Sequence, residues 1–129
     1  MQSSSAVRSS IAWQKGMELA KIIYQQATKT FPADERFGLT NQLRRAAVSI
    51  PSNIAEGKGR LTTGEFMQFL SIARGSTLEI QTQLEIAQML GFGDREQMTR
   101  AEELAWEELK ILNASLTSLQ AKQAMKKRR

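Results

Sequence analysis

The chain has 129 residues, 41% of them hydrophobic and 24% charged, and contains neither cysteine nor histidine. A single domain of that size buries roughly two-thirds of the surface its unfolded chain exposes, and this apolar content argues against wholesale disorder. The missing residue types exclude disulfides, thiolate zinc sites, thiol catalysis and imidazole chemistry at once.

The formal charge of +5 raises nucleic acid as a partner without deciding it. Lys126, Lys127, Arg128 and Arg129 supply four of those units. From Asp94 to Glu108 six acids stand against Arg95 and Arg100, a local charge of −4. Arg44, Arg45, Lys58 and Arg60 stand against Glu56 alone, a local +3. Charge is segregated along the chain, so the isoelectric point by itself says little about partners. No apolar run reaches the roughly 18 residues a bilayer span needs, and the start is too polar for a secretory signal. A cytoplasmic protein that does not enter a membrane is the expectation.

Residues 1–8 are Ser-rich and expected to be frayed and disordered. A first helix is predicted over residues 10–30, capped by Ser9 or Ser10, with Trp13, Met17, Ala20, Tyr24 and Ala27 alternating steps of four and three. It ends before Phe31-Pro32, because the residue before proline is pushed out of the helical region. Residues 32–38 then read as a loop, with Phe31 and Phe37 folded back onto the core.

The second helix is predicted over residues 41–57, with Thr40 as its cap and Leu43, Ala46, Ala47, Ile50 and Ile54 on its buried side. Pro51 falls in its middle. Proline there removes one backbone bond and frees the Ala47 carbonyl, so the helix is expected to run on but kinked. Gly57-Lys58-Gly59-Arg60 forms the turn into the third helix. Free amides and two cations make that turn a conceivable phosphate cradle, but the spacing of a nucleotide-binding loop is absent. A plain helix connection is the simpler reading.

Residues 63–90 form the predicted third helix. Phe66, Leu70, Ala73, Thr77, Ile80, Leu84 and Ala87 line one side, Thr62 with Glu65 makes a capping box, and Gly91 ends it. A second line, Met67, Leu78 and Met89, recurs every eleven residues on a face that one partner helix cannot cover. Gly75-Ser76, far from either end, implies close approach of another backbone. The last helix is predicted over residues 95–121, opened by Asp94 and Gln97, with Met98, Ala101, Ala105, Leu109, Leu112, Leu116 and Leu119 inward. Trp106 sits about 80° off that stripe. Residues 122–129 read as a separate basic tail.

Four helices over residues 9–121 joined by short loops give an all-α, antiparallel up-down-up-down four-helix bundle with a kinked second helix. Among polar residues on small, apolar faces, Asn53, Glu56, Arg74, Ser76 and Glu79 make a candidate structural network. In it Arg74 would pair with Glu56 or Glu79 and fix how the second and third helices register. Glu102, Glu103, Glu107 and Glu108 read as a solvated acidic face, since carboxylate metal clusters in bundles use inward Glu-x-x-His motifs. Catalytic, cofactor and metal residues are therefore assigned to none. Arg44, Arg45, Lys58 and Arg60, gathered near one end, with Lys126, Lys127, Arg128 and Arg129 from the tail, are the candidate nucleic-acid contacts. Base stacking is not indicated, as no aromatic interleaves with them in sequence. A solvated face is the competing reading. Met67, Leu78, Met89 and Trp106 are the candidate interface between copies.

Phe31-Pro32 with Glu35, Phe37-Gly38-Leu39-Thr40, the run from Gln42 to Gly57 containing Ser49-Ile50-Pro51-Ser52-Asn53-Ile54-Ala55-Glu56-Gly57, Glu65-Phe66, Phe69-Leu70 and Ala73-Arg74-Gly75-Ser76 with Glu79 carry a resemblance. The chain resembles the four helix bundle proteins, also known as 23S rRNA intervening-sequence proteins, over about residues 13–112. The resemblance implies a bacterial, cytoplasmic, antiparallel four-helix bundle that assembles as a homo-oligomer, a pentamer, with no established enzymatic activity. A related bundle is an accessory protein to reverse transcriptases and binds both enzyme and nucleic acid. The expected function is non-enzymatic: a self-associating bundle that binds RNA or a ribonucleoprotein partner through basic residues. The alternative is a protein–protein interaction scaffold or accessory subunit that binds no nucleic acid. No cofactor, membrane or small-molecule substrate is implied.

Overall fold

The computed structural model describes the backbone of residues 2–128 and the side chains of residues 5–128. The chain is all-α, with no strand among the described residues: α1 (Gln2–Arg8), α2 (Ile11–Ile22), α3 (Leu39–Lys58), α4 (Thr63–Met89) and α5 (Arg95–Lys127). The Ser-rich start is a seven-residue helix, not a frayed end, and it rests against α2 and α3.

Local chemistry explains most boundaries. Ser10 caps α2 by accepting the Trp13 amide, and Asp94 caps α5 by accepting the Gln97 amide. Thr62 caps α4 by accepting the Glu65 amide, but Glu65 does not complete the box: its carboxylate takes the Thr62 hydroxyl instead. Gly91, at φ +75°, makes the left-handed turn after α4.

Two ends differ from expectation. After Ile22 the first long helix widens into a π-helical turn, Ile23–Ala27, and ends there, before residue 30. Both the amide and the hydroxyl of Thr28 bond the Ile23 carbonyl, five residues back, which sets that wider turn. The start of α3 is held by Glu35, whose Oε1 accepts the Leu39 amide at 3.0 Å; Thr40 is already inside the helix and buried. Phe31 packs on Phe92 in the core, whereas Phe37 is 81% exposed beneath the Arg36 guanidinium.

The helix α3 runs continuously through Pro51. At the other end of the chain, α5 continues to Lys127, so residues 122–127 are helix and not a tail. Alanine, lysine, glutamine and methionine are strong helix formers, and cations in the last turn suit the helix dipole.

Packing closes a cycle: α2 lies against α3 and α5, α4 lies against α3 and α5, and α2 and α4 stand diagonally across the core. Leu19, Ile23, Leu43, Ile50, Ile54, Leu70, Ile80, Leu84, Met98 and Leu112 fill the centre, each almost wholly buried. Cross-helix partners fix the register. Ser49 of α3 meets Ser76 of α4 and Gln42 meets Gln83; Arg74 of α4 meets Asn113 of α5 and Gln88 meets Glu102; Lys15 of α2 meets Glu107 of α5 and Glu18 meets Arg100.

Glycine works at the joints, not at Gly75, where an added Cβ would meet nothing within 4 Å. At Gly57 it would come within 2.8 Å of the Phe69 Cβ, and at Gly16 within 2.9 Å of a Glu108 carboxylate oxygen. Those two residues let α3 close on α4, and α2 close on α5.

Candidate nucleic-acid interface

The four cations expected to gather do not all do so. Arg44 and Lys58 stand fourteen positions apart on the continuous helix α3, which separates them by about 21 Å along its axis. Arg44 is engaged near the start of that helix. Its Nε donates to the Thr28 hydroxyl at 3.3 Å, its guanidinium lies 4.8 Å from the Tyr24 ring centre, and Arg45 is exposed beside it.

Lys58 and Arg60 lie instead at the α3–α4 turn, where Lys58 shares a groove with Ser118 and Leu119 of α5 and the residues after Arg60 face the end of that helix. One groove of about 580 Å³ there is lined by Leu61, Thr62, Thr63 and Gly64 from the start of α4 and by Lys122, Gln123, Met125 and Lys126 from α5. A second groove of about 510 Å³ runs from Ala6 and Val7 of α1 over Lys58, Gly59 and Arg60. Lys127 ends α5 and Arg128 follows it, both exposed; Arg129 lies outside the described residues.

Aromatic rings underlie this pole after all. The Arg60 guanidinium sits 4.7 Å from the centre of the Phe69 ring, and the Lys58 ammonium 5.4 Å from that of Phe66. Sequence spacing hid the pairing because the rings come from the next helix. Arg60 also bonds Glu56 at 3.2 Å, an exposed pair worth little in itself. Leu61, 98% exposed, and Met125, 64% exposed, stand beside the cations. The pole is therefore cationic and apolar together, a combination suited to a phosphate backbone with neighbouring bases.

The polar network forms with different partners. Asn53 donates to the Ser49 carbonyl and hydroxyl, and Ser49 shares a 2.8 Å hydrogen bond with the buried Ser76. Arg74 pairs with neither Glu56 nor Glu79: its Nε donates to Asn113 Oδ1 of α5 at 2.6 Å. Glu79 takes the Gln83 amide and Glu56 takes Arg60. An arginine on α4 thus ties that helix to α5, on the side away from Glu56.

The acidic row on α5 also divides. Glu107 accepts the Lys15 ammonium at 2.9 Å, which holds its carboxyl below the usual range and raises Lys15 in turn. Glu108 does not face solvent as expected. It is wholly buried under Gly16, neither oxygen has a hydrogen-bond partner, and burial pushes its carboxyl up to about 8. The sequence carried a signal for this: Ala101, Ala105, Glu108 and Leu112 step by four, three and four, which places Glu108 in the buried stripe.

Of the candidate contacts between copies, Met67 is half-buried, while Leu78 is 38%, Trp106 54% and Met89 81% exposed. Among the described residues no group of three or more acidic side chains is arranged to hold a metal, and no helix is long and apolar enough to cross a membrane.

Residues 8–114 match the family described as 23S rRNA-intervening sequence protein. The chain belongs to that family. A fold comparison agrees. A crystal structure of a protein of unknown function from the S23 ribosomal protein family of Bacteroides thetaiotaomicron superposes with a TM-score of 0.75. It is 24% identical over 82% of this chain and 98% of that one. Among curated proteins none matches the sequence. Neither the family's description nor this fold neighbour points to an enzyme. In this family member the matched region ends inside α5, before Lys122, so part of the cationic pole lies outside it.

Proposed function

We propose that this protein is a non-enzymatic, self-associating bundle that binds RNA through the pole where the α3–α4 turn meets the end of α5. The observation that carries this reading is the placing of cations from separate elements at one end of the bundle: Lys58 and Arg60, stacked on Phe66 and Phe69, in the α3–α4 turn, and Lys122 and Lys126 of α5 in a groove with the residues that follow that turn. Cations brought together by tertiary packing concentrate positive potential more than a disordered tail does. The family's description ties it to an insertion in ribosomal RNA, which suggests a structured RNA or ribonucleoprotein as the partner. Arg44 and Arg45 fall outside this interface.

The cross-helix pairs, read in order along each helix, support an antiparallel up-down-up-down bundle, with α3 bent at Pro51 where the Ala47 carbonyl loses its donor. A cytoplasmic location and a ring of five copies, as the family resemblance implies, belong to the same reading. The exposed apolar residues on both sides of the bundle support assembly.

Fluorescence anisotropy with a labelled ribosomal-RNA hairpin tests the interface. Lys58, Arg60, Lys126 and Lys127 together changed to Glu should weaken binding by about tenfold or more near 0.1 M salt and flatten its salt dependence. Arg44→Glu with Arg45→Glu should leave binding within about twofold by the same electrostatic reasoning. Equal losses in the two variants would reject the pole. An absence of RNA binding at low salt would favour the protein–protein scaffold.

A further inference from the structure

On the outer side of α2 and α3 runs an apolar groove of about 550 Å³. Trp13, Met17 and Tyr24 line it from one helix, Val48, Pro51 and Ala55 from the other. Met17, Tyr24 and Val48 are each more than 40% exposed, although a chain of this size could turn such residues inward. The charges around the groove are cationic: Lys21 lines it, Arg44 covers the Tyr24 ring, and Arg45 is exposed next along α3.

The opposite side of the bundle is its complement. Because α2 and α4 stand diagonally across the bundle and each packs against both α3 and α5, the outer faces of α2–α3 and α4–α5 look away from one another. On the α4–α5 face Trp106 projects, 54% exposed, beside Glu85 and Glu102 in one shallow depression, with Glu103 a turn away on α5. Met89, 81% exposed, stands on α4 next to that depression. Among the described residues the cation on the Trp106 ring is Lys110, 6.0 Å from its centre, against those three carboxylates.

We infer that the α2–α3 groove receives the Trp106 ridge of a second copy of this chain, in a head-to-tail contact with Lys21 and Arg45 facing Glu85 and Glu102. The inference rests on the self-association proposed above and adds which surfaces meet. An exposed tryptophan set among acids is the residue type that anchors an interface, and an apolar groove with a basic rim fits it in shape and charge. Two different patches meeting make a heterologous contact. Such a contact closes into a ring or runs on as a filament, and does not stop at a symmetric dimer.

Heterologous contacts have a signature in mixing. Met17→Glu spoils the groove and spares the ridge; Trp106→Glu spoils the ridge and spares the groove. Both positions are exposed, so circular dichroism should find both variants folded. By sedimentation velocity at tens of micromolar the wild type should be an assembly and each variant a monomer. An equal mixture should sediment as a dimer, since one good surface of each kind remains. Lys21→Glu and Glu102→Lys, each weaker alone, should show the same complementation if either first variant folds poorly. A monomeric wild type would overturn self-association itself. An assembly that Trp106→Glu leaves intact, or a mixture that stays monomeric, would overturn only the assignment of surfaces.

Discussion

Glu108 is a carboxyl group in a place built for a hydrocarbon. Gly16 leaves room for it, Ile50 and Pro51 pack against the same spot, and the Lys15 ammonium opposes the effect of burial only in part. Its raised pKa has a definite consequence for stability. The folded chain keeps the proton up to about pH 8, whereas the unfolded chain releases it near 4.5. The contribution is therefore whole below about 4.5, declines as pH rises, and is lost once pH passes about 8. Full displacement corresponds to on the order of 5 kcal/mol. Urea unfolding of the wild type and Glu108→Gln across pH 5 to 9 should show the wild type losing stability relative to the variant as pH increases. A difference that does not change with pH would place the carboxyl in water. Gly57 offers a second test at this scale: Gly57→Ala pushes a Cβ against Phe69 and should cost about 1–3 kcal/mol in urea unfolding.

Among the elements, those set by local chemistry were legible from sequence and those set by neighbours were not. Ser10, Thr62, Asp94 and Gly91 mark helix ends because side-chain oxygens and a left-handed glycine act within four residues. Asp94→Ala should therefore lower stability by about 1 kcal/mol, read as a shift in the urea midpoint without a change in slope. The start of α3 depends on Glu35 reaching forward, and the end of the first long helix on Thr28 reaching back; neither follows a repeating pattern. Arg74 has candidate acids on its own helix and on α3, yet Asn113 claims it because α4 lies against α5. Glu108 shows that charge on a helix is no guide to exposure: its spacing matches the core stripe, and it is buried.

Across the whole molecule the separation of charge in the sequence becomes a separation in space, but along different lines. Arg44 and Lys58 lie in one basic stretch of sequence and stand a helix-length apart. Lys58 and Lys126 lie far apart in sequence and stand at the same end of the bundle, in neighbouring grooves. The proposed interface was thus half legible: its residue types were visible, and their grouping waited on the packing of α5 along α4. Mapping the contact itself tests this most directly. Ultraviolet crosslinking of the protein to a ribosomal-RNA hairpin, followed by mass spectrometry, should place crosslinks within residues 57–69 and 122–128. Crosslinks concentrated instead around Arg44 and Arg45, at the far end of α3, would contradict the account.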